Sequence, residues 1–168
     1  EFNISQLKVA EDILTINKPI WGSCWGLQVL VTACGGKISK SKKPEFGFSP
    51  NIFIKFDNYI FDNKPDGFTA PGHHYDVIEK MPSNFSILAE NDVSIQAIAS
   101  KDSNIVCTQY HPELPYDFIG KLMLYWKKNY LNEMLENEFI DLINQLKILE
   151  SKNSYQRELE LTNWMSNL

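Results

Sequence analysis

Pro19 to Gly36 reads PIWGSCWGLQVLVTACGG, and the interpretation of this stretch decides the fold. A short apolar run stops at Gly22-Ser23-Cys24-Trp25-Gly26, and a helix-like segment follows at once. A G-x-C-x-G turn between a strand and a helix forces its central residue into a strained backbone conformation that holds the side chain out. Gly22 and Gly26 relieve the crowding. At the N-terminus of a helix from Leu27 onward, the Cys24 thiol meets the macrodipole and free N–H groups, which favour thiolate. Cys24 is thereby disposed to attack a carbonyl carbon, and the backbone N–H of Trp25 to serve as one donor of an oxyanion hole. The same residues also fit a plain tight turn around a buried cysteine, so a partner must decide.

That partner lies in Gln109-Tyr110-His111-Pro112-Glu113. In an extended segment residues two apart face the same way, so Glu113 can hold one imidazole nitrogen of His111 while the other faces a thiol. Pro112 keeps the segment from becoming helical. In this reading Glu113 fixes the tautomer, His111 acts as base and then as acid toward a leaving amine, and Cys24 carries the acyl group.

Five motifs in order, Gly22-Ser23-Cys24-Trp25-Gly26-Leu27-Gln28, Gly35-Gly36, Glu45-Phe46-Gly47, His74-Tyr75-Asp76-Val77 and Gln109-Tyr110-His111-Pro112-Glu113, together resemble the class I glutamine amidotransferases. The resemblance implies hydrolysis of the side-chain amide of L-glutamine through a glutamyl thioester at Cys24, releasing ammonia for an acceptor. It implies an α/β fold of three layers, α/β/α, with a mixed, mostly parallel central sheet, a flavodoxin-like glutaminase fold with helices added at the C-terminal end. It places Gly22, Trp25, Gln28, Tyr75 and Tyr110 at the substrate, Gln28 one helical turn beyond Cys24 and Tyr75 offering backbone groups to the α-amino and α-carboxylate ends. Glu45 is expected to position the pocket backbone, and Asp76 to brace its loop. No cofactor is implied. The nearest type is a stand-alone amidotransferase resembling the glutaminase part of GMP synthases, with the acceptor enzyme on another polypeptide. Two alternatives stay open: a γ-glutamyl peptide or γ-glutamyl amine hydrolase on the same scaffold, and a non-catalytic domain that keeps the fold.

Composition agrees with one globular α/β domain: 168 residues, 43% hydrophobic, with a formal net charge of −5. No basic patch suggests nucleic acid, and no apolar run approaches the length of a membrane span. A cytoplasmic enzyme is expected. Cys24, Cys34 and Cys107 lack C-x-x-C spacing, so neither a disulfide framework nor a zinc site is supported, and Cys34 and Cys107 read as buried apolar residues. Adjacent His73 and His74 would face opposite ways in a strand, which argues for structural roles and against a shared metal. The chain opens on Glu1, and the family's glycine-rich loop that completes the oxyanion hole is not found ahead of the elbow. A domain lacking its N-terminal part is therefore expected over residues 1–115, with a helical extension over 116–168.

Apolar spacing predicts a helix from Ser5 to Ile16, capped by Ser5, and a buried strand from Pro19 to Trp21. The elbow helix runs from Leu27 to Cys34, closed by Gly35-Gly36. Lys37 to Lys43 reads as a solvated loop. Strands are expected at Phe48 to Phe56, Phe85 to Ala89, Val93 to Ala99 and Asn104 to Gln109, with a turn at Ser100 to Ser103 and a loop from Tyr59 to Gly67. Phe68 to Val77 is treated as a single site element. Beyond Glu113, apolar residues from Phe118 to Leu149 recur at helical spacing, with Asp117 as N-cap and a break near Asn129 or Asn137. A separate last helix is expected from Tyr155 to Asn167.

Overall fold

The computed structural model describes residues 4–16, 18–101 and 105–168. Its elements run α1 (Ile4–Leu14), β1 (Ile20–Ser23), α2 (Trp25–Ala33), β2 (Lys37–Glu45), β3 (Phe48–Ile54), β4 (Gly67–Pro71), β5 (His74–Lys80), β6 (Phe85–Glu90), β7 (Ile95–Ser100), β8 (Ile105–Thr108), α3 (Tyr116–Tyr125), α4 (Lys127–Tyr130) and α5 (Glu136–Ser166), with a 3-10 turn at Tyr59–Phe61. Six strands form one sheet in the order β1-β8-β7-β6-β3-β4, and β2 pairs with β5 in a second.

The central sheet is mixed, as expected. Its parallel character is smaller than expected: β1 runs parallel to β8, while β8 with β7, β7 with β6, β6 with β3 and β3 with β4 are antiparallel. Only four residues separate β6 from β7 and β7 from β8, a spacing that favours antiparallel neighbours, whereas a parallel partner needs a crossover.

Alternation along the strands builds the layers. Ile98 and Cys107 face α2, where Leu27, Leu30 and Val31 close a core shared with Ile78 of β5. Ala97 and Val106, one residue along, face the other way into a core with Ile52, Phe68 and Tyr110, covered by Trp164 of α5. A third cluster joins Ile119 and Met123 of α3 to Phe139, Ile143 and Leu146 of α5.

Several sequence expectations need correction. Lys37 to Lys43 is strand, not loop: Ile38 faces the core while the lysines stay outside, Lys37 on Glu79 at 2.6 Å and Lys40 on Asp76 at 3.2 Å. A strand with one face in water can be as polar as a loop. Phe68 to Val77 divides between β4 and β5, which belong to different sheets. Ser5 lies inside α1, which begins at Ile4. Pro115 is the N-cap of α3 and Asp117 sits in its first turn. The break after α3 and α4 falls before Glu136, between the two expected positions, but no second break follows: α5 is one helix of 31 residues. At 1.5 Å per residue it is about 46 Å long. It contains no glycine or proline, so the polar stretch Ser151 to Gln156 has nothing that stops a helix. The expected turn at Ser100 to Ser103 and the start of the strand at Asn104 fall partly outside the described residues.

Candidate active site

The first half of the site is the β1-to-α2 turn. Cys24 has φ 48° and ψ −100°, a conformation that costs an L-residue on the order of 1–3 kcal/mol. Backbone bonds hold it there: Cys24 N–H donates to Thr108 O at 2.7 Å, and its carbonyl accepts from Gln28 N at 3.1 Å. The parallel pairing that aligns Gly22 with Cys107 and Ser23 with Thr108 thus ends with Cys24 tied to the end of β8.

Gly22 is what lets α2 sit so close. A Cβ there would lie 2.8 Å from Leu30 Cδ1 and 3.2 Å from Cys107 Sγ. Gly22, expected at the substrate, also packs closely beneath the turn.

The second half follows β8. His111 N–H donates to Pro71 O at 2.7 Å, and its Nδ1 lies 2.6 Å from Glu113 Oε1. Glu113 Oε2 accepts from Ser23 Oγ at 2.8 Å, and Ser23 Oγ accepts from Trp21 Nε1 at 3.0 Å. The carboxylate is therefore anchored to the strand that carries Cys24. The Cys24 sulfur acts on the His111 ring from close by, and with Nδ1 taken by Glu113, Nε2 is the nitrogen left for it.

These contacts set the charges. Burial opposes the imidazolium, but hydrogen bonds and charge from Cys24 and Glu113 outweigh it and push His111 from 6.5 up to about 9. Burial raises the Glu113 carboxyl, while the His111 hydrogen bond and charge act more strongly and hold it below its ordinary range. A cysteine sulfur, a protonated imidazole and a carboxylate so placed can support nucleophilic attack and proton transfer at one carbonyl.

The surrounding shell is polar where it orders backbone. Buried Glu45 accepts from Ser49 at 3.0 Å and from Gln96 at 2.6 Å, contacts His74 Nε2 at 2.7 Å, and takes the Asn91 amide at 2.7 Å. His74 Nδ1 in turn meets Asp76 O at 3.0 Å, so Glu45 holds the first residues of β5 through His74. His73 O lies 3.7 Å from Cys24 Sγ. Burial, then the charges of His111 and His74, lower the His73 ring to about 4, and its Nε2 pairs with Tyr130 OH at 3.2 Å. A neutral ring there leaves His111 as the charged imidazole beside the Cys24 sulfur.

Two spaces flank this constellation. A cleft of about 760 Å³ is lined by Trp25, Gln28, Thr32, Lys40 and Asp76, among others. A smaller hollow of about 220 Å³ is lined by His73, His111, Met123, Trp126 and Tyr130 together with Leu and Ile side chains. Of the expected substrate residues, Trp25 and Gln28 line the cleft. Tyr75 stands at the exposed edge, packed on Phe46 at 5.2 Å with Lys40 over its ring at 5.7 Å.

Tyr110 requires correction. It is fully buried, and its hydroxyl donates to Glu160 Oε1 at 3.0 Å on the far side from Cys24. Its neighbour faces the sulfur instead: Gln109 is fully buried with Nε2 3.7 Å from Cys24 Sγ. Alternation implies only that Gln109 and Tyr110 point opposite ways, not which of them faces the sulfur. Among the described residues, no group of three or more His, Cys, Asp or Glu is arranged to hold a metal ion.

Comparison with known proteins fits this geometry. A family model described as glutamine amidotransferase class-I matches residues 4–127. The GMP synthase [glutamine-hydrolyzing] of Borrelia garinii subsp. bavariensis is 34% identical over 128 residues, 76% of this chain and 24% of that protein. That of Thermosipho africanus is 35% identical over 131 residues, 77% of this chain and 25% of that protein. The chain thus spans about a quarter of the length of these curated relatives. The crystal structure of a glutamine amidotransferase from Thermotoga maritima superposes with a TM-score of 0.76 at 22% identity, covering 97% of this chain and 68% of that one, a likeness of fold.

Proposed function

The chain belongs to the class I glutamine amidotransferases, and on that premise we propose that it hydrolyses the side-chain amide of L-glutamine through a thioester at Cys24. The observation that carries the reading is the strained Cys24 beside a His111 whose Nδ1 is held by Glu113.

The sulfur attacks the γ-carbonyl carbon, forming the C–S bond and placing negative charge on the carbonyl oxygen. The backbone N–H of Trp25, the first residue of α2, is the donor assigned to that oxygen. His111 gives its Nε2 proton to the amide nitrogen, the C–N bond breaks, and ammonia leaves. The neutral imidazole then takes a proton from water as it attacks the thioester, glutamate departs, and the thiolate–imidazolium pair returns. Because His111 is pushed up to about 9, the proton needed by the leaving nitrogen is already in place at neutral pH. Glu113 holds the ring and stabilises its charge. Gln28 and Trp25 in the larger cleft, with the backbone at Tyr75, receive the amino-acid end of glutamine. Gly22 and Tyr110 act from beneath, by packing.

Ammonia from this step passes to an acceptor enzyme, as the GMP synthase relatives suggest, with residues 1–115 as the glutaminase unit and 116–168 as a helical extension. Among the described residues no helix is long and apolar enough to cross a membrane, and we assign the reaction to the cytoplasm. One observation favours a second reading, a γ-glutamyl peptide or amine hydrolase. The apolar hollow adjoins His111, the group that protonates the leaving nitrogen, and has room for an amine larger than ammonia.

Offering the purified protein L-glutamine beside a panel of γ-glutamyl amines, with Cys24→Ala as blank, separates the two. Ammonia and glutamate from glutamine alone support the amidotransferase; preference for the panel supports the hydrolase; equal release by Cys24→Ala contradicts both.

A further inference from the structure

We propose that the C-terminal half of α5 is a brace for the His111–Glu113 segment, with Arg157 and Glu160 as positioning residues that act through Pro112 and Tyr110. The proposal rests on the catalytic reading of His111 given above. The family model's match ends at residue 127, ahead of this helix.

The contacts converge on one short segment. Arg157, itself buried, donates from Nη1 to Pro112 O at 2.8 Å. That bond fixes the peptide plane between His111 and Glu113. Glu160 accepts from Tyr110 OH at 3.0 Å and so fixes the residue on the other side of His111. Three residues and then four separate Arg157, Glu160 and Trp164, which places them on one helix face. Trp164 packs edge-on against Trp21 at 5.7 Å, and Trp21 holds Ser23, the second partner of Glu113. One helix face thus reaches Tyr110, Pro112 and, through Trp21, the Ser23 hydroxyl.

Helix-on-sheet packing alone does not need these charges. Glu160 and Lys64 are essentially without solvent exposure and pair at 2.6 Å, and Lys64 also donates to Gln156 O at 2.8 Å. Burial pushes the Glu160 carboxyl up and the Lys64 ammonium down, and each partner's charge opposes the shift in the other. An apolar set of similar volume usually packs at least as stably, because taking ions out of water is costly. What the charged set provides is direction: a guanidinium and a carboxylate each specify where an oxygen sits, which a leucine cannot. At an acid–base pair, displacement on the order of 1 Å can cost about a hundredfold in rate.

The test compares wild type with Arg157→Met, Arg157→Lys and Glu160→Gln, and with Tyr155→Ser as a control at an exposed position of the same helix. Two readouts are taken: steady-state kinetics on glutamine, and the NMR titration of the His111 ring, which needs no substrate. The brace predicts that Arg157→Met and Glu160→Gln lose about ten- to a hundredfold in kcat with KM little changed. Their His111 midpoint should move down, Arg157→Lys should recover part of both losses, and Tyr155→Ser should match wild type. Wild-type kcat and titration in Arg157→Met and Glu160→Gln would overturn the proposal. If Arg157→Met does not fold, Arg157→Lys and Glu160→Gln carry the test, and wild-type behaviour in both overturns it equally. A wild-type His111 that titrates at its ordinary position would instead overturn the catalytic reading beneath it.

Discussion

Replacing Glu113 by Gln keeps the shape of the site and removes one charge, and the structure says how much that should matter. Glu113 Oε1 meets His111 Nδ1 at 2.6 Å, while Oε2 takes the Ser23 hydroxyl at 2.8 Å. A glutamine can keep its carbonyl oxygen on Nδ1, and its amide can donate to Ser23 Oγ once that hydroxyl turns. What disappears is charge assistance, about 1.5–3 kcal/mol for a charged bond against roughly 0.5–1.5 for a neutral one. The Glu113 side chain is 39% exposed, so solvent screening removes part of that difference and leaves about 1 kcal/mol. One pH unit corresponds to about 1.4 kcal/mol, so the His111 midpoint should fall from about 9 by somewhat less than one unit. The sign follows: loss of an anion disfavours imidazolium. NMR titration of the His111 ring reads this directly, with His111→Asn to assign its signal among three histidines. Glutamine hydrolysis should then fall mainly on the alkaline side and only modestly at neutral pH, where the ring stays protonated; His111→Asn should lose most activity throughout. An unmoved midpoint in Glu113→Gln would refute the claim that Glu113 holds the imidazolium.

Three further outcomes are expected. Gly22→Ala brings its new methyl within 2.8 Å of Leu30 Cδ1, 3.1 Å of the Gly26 backbone and 3.2 Å of Cys107 Sγ, so Leu30 must turn away and the neighbours give, at a cost of about 1–3 kcal/mol; an unchanged urea midpoint would contradict the close packing under the elbow. Glu45→Gln turns one oxygen that accepts hydrogen bonds into a donor facing the donors of Asn91 or of Ser49 and Gln96, costing about 1–3 kcal/mol. Thermal melting should show that loss together with a raised KM, and wild-type KM would remove Glu45 from ordering the pocket. His111 binds its proton more tightly folded than unfolded, so its stabilisation is complete below about 6.5 and is lost as pH rises through about 9. The melting temperature of wild type relative to His111→Asn should therefore decline across that window, and a constant difference would contradict the raised value.

The sequence speaks clearly where local chemistry forces geometry. The two glycines around Cys24 announce the elbow, the alternation in Ile95 to Thr108 announces paired strands, and the spacing of His111 and Glu113 implies the contact seen between them. It is quiet where a partner decides. Lys37 to Lys43 looks solvated because its lysines are; only β5, forty residues on, makes it a strand. Tyr110 resembles a site residue by its neighbours, yet the carboxylate that claims its hydroxyl lies fifty residues away on α5. Gln109, the residue that does face Cys24, needed the register of β8 before its direction could be known. The continuity of α5 through a polar stretch reflects the absence of a breaker rather than the presence of an apolar signal.

The most direct test of the central claim is acid-quenched mass spectrometry of the protein shortly after mixing with L-glutamine. A glutamyl adduct on the Cys24 peptide, absent from the Cys34 and Cys107 peptides and lost in Cys24→Ala, is the predicted result. Glutamate formed at the wild-type rate by Cys24→Ala, with no adduct on that peptide in wild type, would contradict it.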